Sequence, residues 1–344
     1  MKRSLSLLLG LSLGASAAFA QSANTSIIDR AQQPAPPVAP RSQTDTAIPT
    51  GIEGEDAGVQ RVAEPRKFPI KLFLDADTQV YYTDNVLLQP ANNPQSNSDA
   101  VVFATTLSVR AETPSKPFAN GLITPSIGLV YQRYYHGIAS DDPARDDLDF
   151  DSYSIPLTLR FRNQSGWDAS VGVTAGSIYR LNGASSYENI YRNLTPSVSV
   201  RKSIGLSKTQ LVSLGTTLSY AKTWADTPGG LFSFRDDRND KVDLSGDIAY
   251  YYIRGRWVLN AYGRAAFTDY LHYQEAGNRD VNRRDTTLSL GASATYNLTS
   301  WASARVFTSS DWRLSNQEGN APTFDNYTYE SSNLGIGLSL SANF

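Results

Sequence analysis

The sequence predicts an all-β chain that closes into a single transmembrane antiparallel barrel of about twelve strands, arranged as an up-and-down meander. From Leu334 to Phe344, apolar residues alternate strictly with Gly, Ser and Asn. Such a period of two, with one apolar and one small polar face, is typical of a strand between lipid and a water-filled lumen. Short and long polar links also alternate along the chain, as expected for tight turns at one rim and loops at the other.

Residues 1–20 have the features of a secretory signal peptide. Lys2 and Arg3 carry its positive charge, residues 5–13 form a short apolar run, and residues 18–20 make a small-x-small cleavage site. The run is too short to cross a membrane as a helix, and no later stretch is apolar over the required length. We expect the chain to be exported and the signal to be removed.

The composition excludes several classes of site. The absence of cysteine rules out a disulfide framework and a thiolate metal site. The net charge is only -2, so no overall basic field attracts nucleic acid. No acidic cluster has an ordered metal-ligand spacing, and we expect neither a metal nor a cofactor. The 19 Tyr against one Met fit a membrane barrel, in which Tyr and Trp concentrate at two interfaces.

Residues 21–66 are rich in Pro, Ala, Gln, Ser and Thr and show no apolar periodicity. The proline-rich run 34–40 is expected to be extended, in the manner of polyproline. A segment of this kind buries too little apolar area to offset the entropy lost on ordering. We therefore predict a disordered periplasmic segment over 21–66, a plain tether rather than a specific contact, followed by the barrel over 67–344.

Twelve amphipathic segments make up the predicted barrel. They span 69–83, 100–112, 121–135, 152–163, 167–180, 192–204, 209–223, 242–253, 257–271, 286–298, 301–313 and 329–344. Short links such as 205–208 alternate with longer links such as 181–191 and 272–285. An even number of strands places both termini at one rim, which we expect to face the periplasm. The last strand should pair with the first, with Gly335 and Gly337 leaving open space in the lumen.

Aromatic residues gather near the ends of the predicted strands. Trp167 and Trp257 lie by short turns, whereas Tyr82 and Trp224 lie by long links. Two aromatic girdles about 25 Å apart are expected of an outer-membrane barrel, surrounded by lipid and lipopolysaccharide. A soluble sandwich gives no reason for girdles at both ends. The terminal Phe344 resembles the C-terminal signature that the β-barrel assembly machinery reads.

One segment carries a family resemblance. Residues 80–90, Val-Tyr-Tyr-Thr-Asp-Asn-Val-Leu-Leu-Gln-Pro, are followed by Ser-Asp-Ala-Val-Val at 98–102. This region resembles the β-barrel porin 2 family of proteobacterial outer-membrane barrels, in which a TDNV segment leaves the first strand. The resemblance covers residues 68–344 loosely, and the proline-rich leader and Phe344 also fit. It implies a channel role without naming a solute; some members of the family lie near exopolysaccharide export systems, so an association with such export is a further expectation.

The predicted lumen carries many charges, and we take ten side chains as candidates for setting selectivity. They are the cations Arg110, Arg160, Arg162, Arg201, Arg264 and Arg305 and the carboxylates Asp75, Asp77, Asp243 and Asp247. Most of the arginines lie near short turns, and the aspartates lie nearer mid-height or the long links. Charged rings set ion selectivity, and guanidinium groups suit carboxylates and phosphates. The pattern favours passage of anionic solutes or acidic saccharides; alternatively, these side chains pair and fill a narrow lumen.

Two other classes of function are weighed against a channel. A hydrolase would need a histidine beside a serine or a carboxylate at the barrel rim. The only histidines, His136 and His272, end strands on opposite sides of the predicted barrel, so we expect no enzyme. A plugged barrel that only displays its loops stays open as an alternative. Acidic loop residues such as 141–142 and 236–237 are expected to be solvated or linked to lipopolysaccharide through divalent ions.

Overall fold

The computed structural model describes residues 28–31, 70–88, 99–136, 148–182, 186–224, 236–275, 279–316 and 328–344. These residues form a closed antiparallel barrel of twelve strands, which confirms the predicted fold. Among them, no helix is long and apolar enough to cross a membrane.

The barrel is an up-and-down meander in which each strand pairs with the next along the chain. Its strands are β1 (Lys71–Thr83), β2 (Ala100–Glu112), β4 (Gly121–Tyr135), β5 (Phe150–Asn163), β6 (Trp167–Asn182), β7 (Ser186–Gly205), β8 (Gln210–Trp224), β9 (Lys241–Arg254), β10 (Trp257–Tyr270), β13 (Arg284–Asn297), β14 (Ala302–Ser315) and β15 (Tyr329–Asn343). Three short strands complete the set. β3 (Lys116–Phe118) pairs with the start of β4, and β11 (Gln274–Glu275) pairs with β12 (Arg279–Asp280) in a small loop hairpin.

The ring closes between β15 and β1, as predicted. Tyr81 lies opposite Gly335 in the antiparallel register of these two strands. At the end of the seam, the backbone N–H of Leu72 donates to the carbonyl of Phe344 at 3.1 Å, and the Phe344 N–H donates back at 2.9 Å. Closure leaves no unpaired strand edge in the ring, which removes the site at which open sheets associate with other chains.

The outer surface of the barrel is apolar. Leu334, Ile336 and Leu338 on β15 are 60%, 61% and 58% exposed, and outward-facing Leu, Ile and Val residues are exposed along the other strands. Soluble monomers rarely expose contiguous apolar surface on this scale. In hydrocarbon, a closed barrel is one of the two folds that satisfy every backbone hydrogen-bonding group. The outer surface is therefore that of a membrane-spanning barrel.

Exposed aromatic side chains mark both ends of the barrel. Trp167, Trp257 and Trp301 lie where the connections are shortest, an end that we name the short-turn rim. Tyr82 and Trp224 lie at the opposite end, the long-loop rim. This distribution matches the two girdles predicted from the sequence.

One predicted loop is instead an extension of the sheet. The sequence predicts a long link over 181–191, but β6 and β7 continue past the rim and leave only residues 183–185 between them. Tyr179 stacks on Tyr187 with ring centroids 4.7 Å apart, and Arg180 forms a 3.0 Å ion pair with Glu188. Cross-strand pairs of these kinds stabilise a hairpin. The polar composition that suggested a loop therefore belongs to a hairpin that projects from the rim.

The N-terminal segment departs from its prediction at four residues. Ile28–Ala31 form one turn of helix inside the barrel, near the long-loop rim, where Ile28 and Arg30 are buried. Disorder in the periplasm was expected for 21–66, and it does not hold for this turn. The barrel wall supplies the apolar contacts that the composition of the segment lacks. The rest of that prediction, and the signal peptide, lie outside the described residues.

Candidate functional site in the barrel lumen

The main lumen cavity has a volume of about 550 Å³. It extends from Tyr134, near the long-loop rim, to Arg201, near the short-turn rim. Its wall comes from nine of the twelve barrel strands, because inward-facing positions recur at every second residue of each strand. Arg30 of the N-terminal turn also lines it.

Aromatic rings and small hydroxyl side chains make up much of this wall. The rings are Tyr81, Tyr134, Tyr191, Tyr251, Tyr262 and Phe307, and the hydroxyls include Thr195, Thr217, Ser219, Ser245, Ser289 and Ser309. Asn193 and Asn333 add amide groups. The wall therefore presents flat apolar faces interspersed with neutral hydrogen-bonding groups, which suits a ligand that is itself both apolar and hydroxylated.

Arg201 lies between the main cavity and a second cavity at the short-turn rim. Its guanidinium is 3.0 Å from the carboxylate of Asp247 on β9 and donates to the hydroxyl of Ser213 at 3.1 Å. It lines both cavities. A solute that passed from one cavity to the other would therefore pass this guanidinium.

Arg264, on β10, has a different environment. It lies opposite Asp247 of β9 and Ser289 of β13 in the strand register. The carboxylate of Asp247 is engaged by Arg201, and among the described residues Arg264 forms no ion pair or hydrogen bond. Asp311, opposite Ser289 on β14, is an electrostatic neighbour. Arg264 thus presents a guanidinium to the main cavity without direct neutralisation by a contacting carboxylate.

The second cavity, of about 340 Å³, is rich in guanidinium groups. Arg160 donates to Asp168 at 2.8 Å, and Arg162 contacts the same carboxylate at 3.2 Å. Arg110 pairs with Glu112 at 3.3 Å. Two carboxylates thus serve three arginines, of which Arg162 lies beside the cavity, so guanidinium groups are in excess near the short-turn rim.

The closing seam holds a further ion pair. Arg305 on β14 contacts Asp77 on β1 at 2.9 Å and donates to Gln79 at 3.0 Å. Ser339 on the intervening strand β15 also donates to Asp77. Asp75, the other candidate on β1, is exposed.

The ten candidates therefore divide into separate groups. The main cavity brings together Arg201, Arg264, Asp243 and Asp247; the second cavity holds Arg110 and Arg160, with Arg162 beside them; Asp77 and Arg305 form the seam pair; and Asp75 is exposed on β1, outside these groups. Five of the six arginines have a carboxylate partner, so the pairing that the sequence left open as an alternative is common in the lumen. Asp247 and Asp77 lie against arginines rather than in a separate layer above them.

Sequence reasoning missed the residues that come from the N-terminal segment. Asp29 forms an ion pair with Arg313 at 2.8 Å, and Arg30 reaches the end of β1. No periodicity or motif in 21–66 signals these contacts, because they depend on how the segment meets the finished barrel.

The two histidines lie in different environments. His136 is buried after β4, where its ring stacks near Tyr134 and Phe150 and its backbone N–H donates to Asp149 at 2.7 Å. His272 is exposed after β10, beside Asp240. Asp240 already accepts hydrogen bonds from Thr223 and Lys222, so its oxygens are engaged by the protein.

Comparisons of the sequence leave the family unassigned. No protein-family model matches it, so membership of the β-barrel porin 2 family is not confirmed. No curated protein matches it.

Several solved structures of bacterial outer-membrane barrels are similar to this one. An outer membrane channel from Pseudomonas putida F1 is 13% identical with a TM-score of 0.46, over 84% of this chain and 100% of that chain. A bacterial polysaccharide outer membrane secretin is 10% identical with a TM-score of 0.41, over 77% and 97%. The KdgM porin in complex with disordered oligogalacturonate is 9% identical with a TM-score of 0.36, over 77% and 98%. Similarities at these levels carry no argument about function.

Proposed function

We propose that this protein is an outer-membrane channel whose lumen passes anionic solutes, acidic saccharides in particular. The observation that carries the proposal is the guanidinium of Arg264, which lines the 550 Å³ cavity without a contacting carboxylate. In a water-filled lumen with low-dielectric walls, such a charge raises the local concentration of anions. A guanidinium also matches the geometry of a carboxylate, with two parallel N–H donors.

The charges along the lumen also favour anions over cations. Arg110 and Arg160 in the second cavity, together with the adjacent Arg162, outnumber the carboxylates of Glu112 and Asp168. Arg201 and Arg264 follow towards the middle of the barrel. An anion that moves along the lumen therefore meets guanidinium groups in both cavities, and rings of fixed charge select ions in this way.

The neutral part of the wall favours a saccharide over a compact inorganic anion. Tyr251 and Tyr262 offer ring faces to the apolar C–H face of a sugar, and Ser289 and Asn193 offer hydrogen bonds to its hydroxyls. A wall made for small inorganic ions would gain nothing from these rings. An association with exopolysaccharide export, and with the β-barrel porin 2 family, is a further part of the proposal that rests on the resemblance of residues 80–90.

The proposed orientation of the barrel in the membrane follows from the unequal lengths of the connections between its strands. We place the short-turn rim and both chain termini in the periplasm and the long-loop rim outside the cell, as in other bacterial barrels. Phe344 then ends the strand that the assembly machinery recognises. His136 and His272 follow β4 and β10, which five strands separate in either direction around the ring, so they do not support a shared catalytic site.

Reversal potentials in planar bilayers test the proposal. Under a potassium chloride gradient, the wild-type protein should be anion-selective, and Arg264→Gln should lower the ratio of anion to cation permeability several-fold. Arg256→Gln is the matched control, since Arg256 lies in a short turn and contacts the carbonyl of Leu298. Cation selectivity of the wild-type protein would overturn the proposal.

Liposome swelling tests the solute class. Glucuronate should enter proteoliposomes faster than glucose, and Arg264→Gln should reduce the rate for glucuronate more than the rate for glucose. Equal effects on both sugars would show that Arg264 does not recognise the carboxylate. Lower entry of glucuronate than of glucose into wild-type proteoliposomes would contradict the choice of acidic saccharides.

A further inference from the structure

A short piece of the N-terminal segment lies in the lumen. Ile28 is 8% exposed and Arg30 is 5% exposed. Ile28 belongs to a buried apolar cluster with Tyr81, Tyr134 and Phe150, which belong to the barrel wall near the long-loop rim. The turn is therefore packed against the wall of the lumen by its own apolar side chain.

Arg30 is held by neutral acceptors. Its Nε donates to the carbonyl of Val86 at 3.0 Å, and its Nη2 donates to the carbonyl of Asn85 at 2.5 Å and to the hydroxyl of Thr83 at 3.4 Å. Among the described residues, no carboxylate contacts it. Asp311 is an electrostatic neighbour of Arg30 but does not contact it, and a buried guanidinium without a contacting carboxylate is a costly arrangement. This cost weakens the binding of the turn to the lumen wall and favours release of the turn.

Asp29, unlike Arg30, contacts a side chain of opposite charge. Its carboxylate lies 2.8 Å from the guanidinium of Arg313 on β14, and both side chains are mostly buried. The Arg313 guanidinium also stacks over the ring of Tyr329, 4.5 Å from its centroid. An arginine on an aromatic ring, with a carboxylate in front of it, is a suitable site for an acidic sugar as well. Asp29 occupies the position that the carboxylate of such a solute would take.

We infer that Ile28–Ala31 are a displaceable plug of the lumen, and that Asp29 stands in for the carboxylate of an acidic solute on Arg313. This inference rests on the proposed channel and adds the device that opens it. A solute carboxylate that binds Arg313 replaces the bond to Asp29, and the turn, whose Arg30 has no contacting carboxylate among the described residues, leaves the wall. The solute itself thus favours the open state, because it binds only where the plug is absent.

The number of residues between the turn and β1 is large enough for this exchange. The sequence has 39 residues between Ala31 and Lys71, where β1 begins (residues 32 to 70). At about 3.3 Å per residue such a length spans up to roughly 130 Å, and a strand of about 14 residues spans roughly 45 Å. Departure of the turn from the lumen therefore requires no change in the barrel.

Single-channel conductance of the full-length protein tests the plug. The variant Asp29→Asn removes the ion pair with Arg313 and leaves Arg30 and the barrel wall unchanged. It should spend several-fold more time open than the wild-type protein, and glucuronate should raise the open time of the wild-type protein but not of the variant. Arg256→Gln, at the opposite rim, is the matched control and should behave as wild type.

A cross-link gives the reverse test. The chain has no cysteine, so the pair Asp29→Cys, Arg313→Cys is joined selectively by a short bis-maleimide. The cross-linked protein should stay closed, and the same variant before cross-linking, which lacks the Asp29–Arg313 ion pair, should be open. Folding of each variant is checked by its heat-modifiable migration on a denaturing gel.

The outcomes separate this inference from the proposed function. A wild-type open time in Asp29→Asn, or an open channel in the cross-linked protein, would overturn the plug whatever the ion selectivity. A channel that prefers cations would overturn the choice of an anionic solute, and a longer open time in Asp29→Asn would still support the plug.

Discussion

The guanidinium of Arg305 on β14 reaches across β15 to the carboxylate of Asp77 on β1, with 2.9 Å between Nη2 and Oδ1. The strand between them carries Gly337 at this level, and a Cβ there would lie 3.1 Å from Nε of Arg305. The pair therefore spans the seam at which the barrel closes, and a glycine makes the crossing possible.

Loss of Arg305 should weaken the closed barrel. Arg305 and Asp77 are 3% and 18% exposed, so Arg305→Ala leaves a largely buried carboxylate without its cation. We expect a loss of about 3 kcal/mol in the free energy of unfolding, measured by urea titration of the protein in lipid vesicles. Arg284→Ala removes an exposed pair with Asp269 and should cost less than about 1 kcal/mol. Equal losses in the two variants would show that the seam pair adds no stability of its own.

A methyl group at Gly335 should be poorly tolerated. A Cβ at this position would lie 2.4 Å from the Cβ of Tyr81 and 2.6 Å from the carbonyl oxygen of Val80. Gly335→Ala should therefore destabilise the barrel by about 1–3 kcal/mol, the usual range for overpacking. Gly205→Ala is the control, because no atom lies within 4 Å of a Cβ at Gly205. Urea titrations of the two variants give the comparison, and a wild-type midpoint for Gly335→Ala would contradict the prediction.

Removal of the carboxylate of Asp247 should make the lumen more anion-selective. Asp247 neutralises Arg201 at 3.0 Å and lies opposite Arg264 in the register. In Asp247→Asn both guanidinium groups lack a contacting carboxylate, so the ratio of anion to cation permeability should rise several-fold in reversal-potential measurements. Asp269→Asn removes the same charge from an exposed rim position and should leave the ratio unchanged. A lower ratio in Asp247→Asn would rule out the proposed role of the two arginines.

The long-loop rim should lose stability as the pH falls. Burial lowers the pKa of His136 below its ordinary value of 6.5, although a hydrogen bond to Asp149 opposes the shift. The unfolded rim therefore takes up a proton at higher pH than the folded rim, and folding is disfavoured as pH falls through the ordinary histidine range. Between about pH 7.5 and about pH 5, limited proteolysis at this rim should become faster. His136→Gln should reduce this acceleration, and an identical pH dependence in both proteins would exclude His136 as its source.

Much of the barrel was predictable because each strand is a local pattern. The bounds of β2 and β4 agree with the predicted 100–112 and 121–135, since alternation and flanking polar links mark both ends. The projecting part of β6 and β7 was missed. Its polar residues are stabilised by contacts between strands, such as the stacking of Tyr179 on Tyr187, and those contacts are not visible in either strand alone.

The candidate site was predictable only in part. Alternation identified inward-facing positions, and Arg201, Arg264, Asp243 and Asp247 do line one cavity. Which charges neutralise one another depends on register and side-chain reach across strands. Arg201 forms the ion pair with Asp247. Arg264 does not, although it lies directly opposite Asp247 in the strand register.

The sequence by itself determined the closed barrel, its apolar outer face and the pairing of the last strand with the first. The outer face follows from the period-two alternation within each strand. The pairing follows because a meander with an even number of strands closes by joining its last strand to its first. Only the tertiary structure decided what fills the lumen. The small residues of β15 were expected to leave open space, but Tyr81, Phe307 and Arg305 from the neighbouring strands occupy it. The Asp29–Arg313 contact joins residues far apart in sequence, and it forms because the finished wall places Arg313 beside the turn.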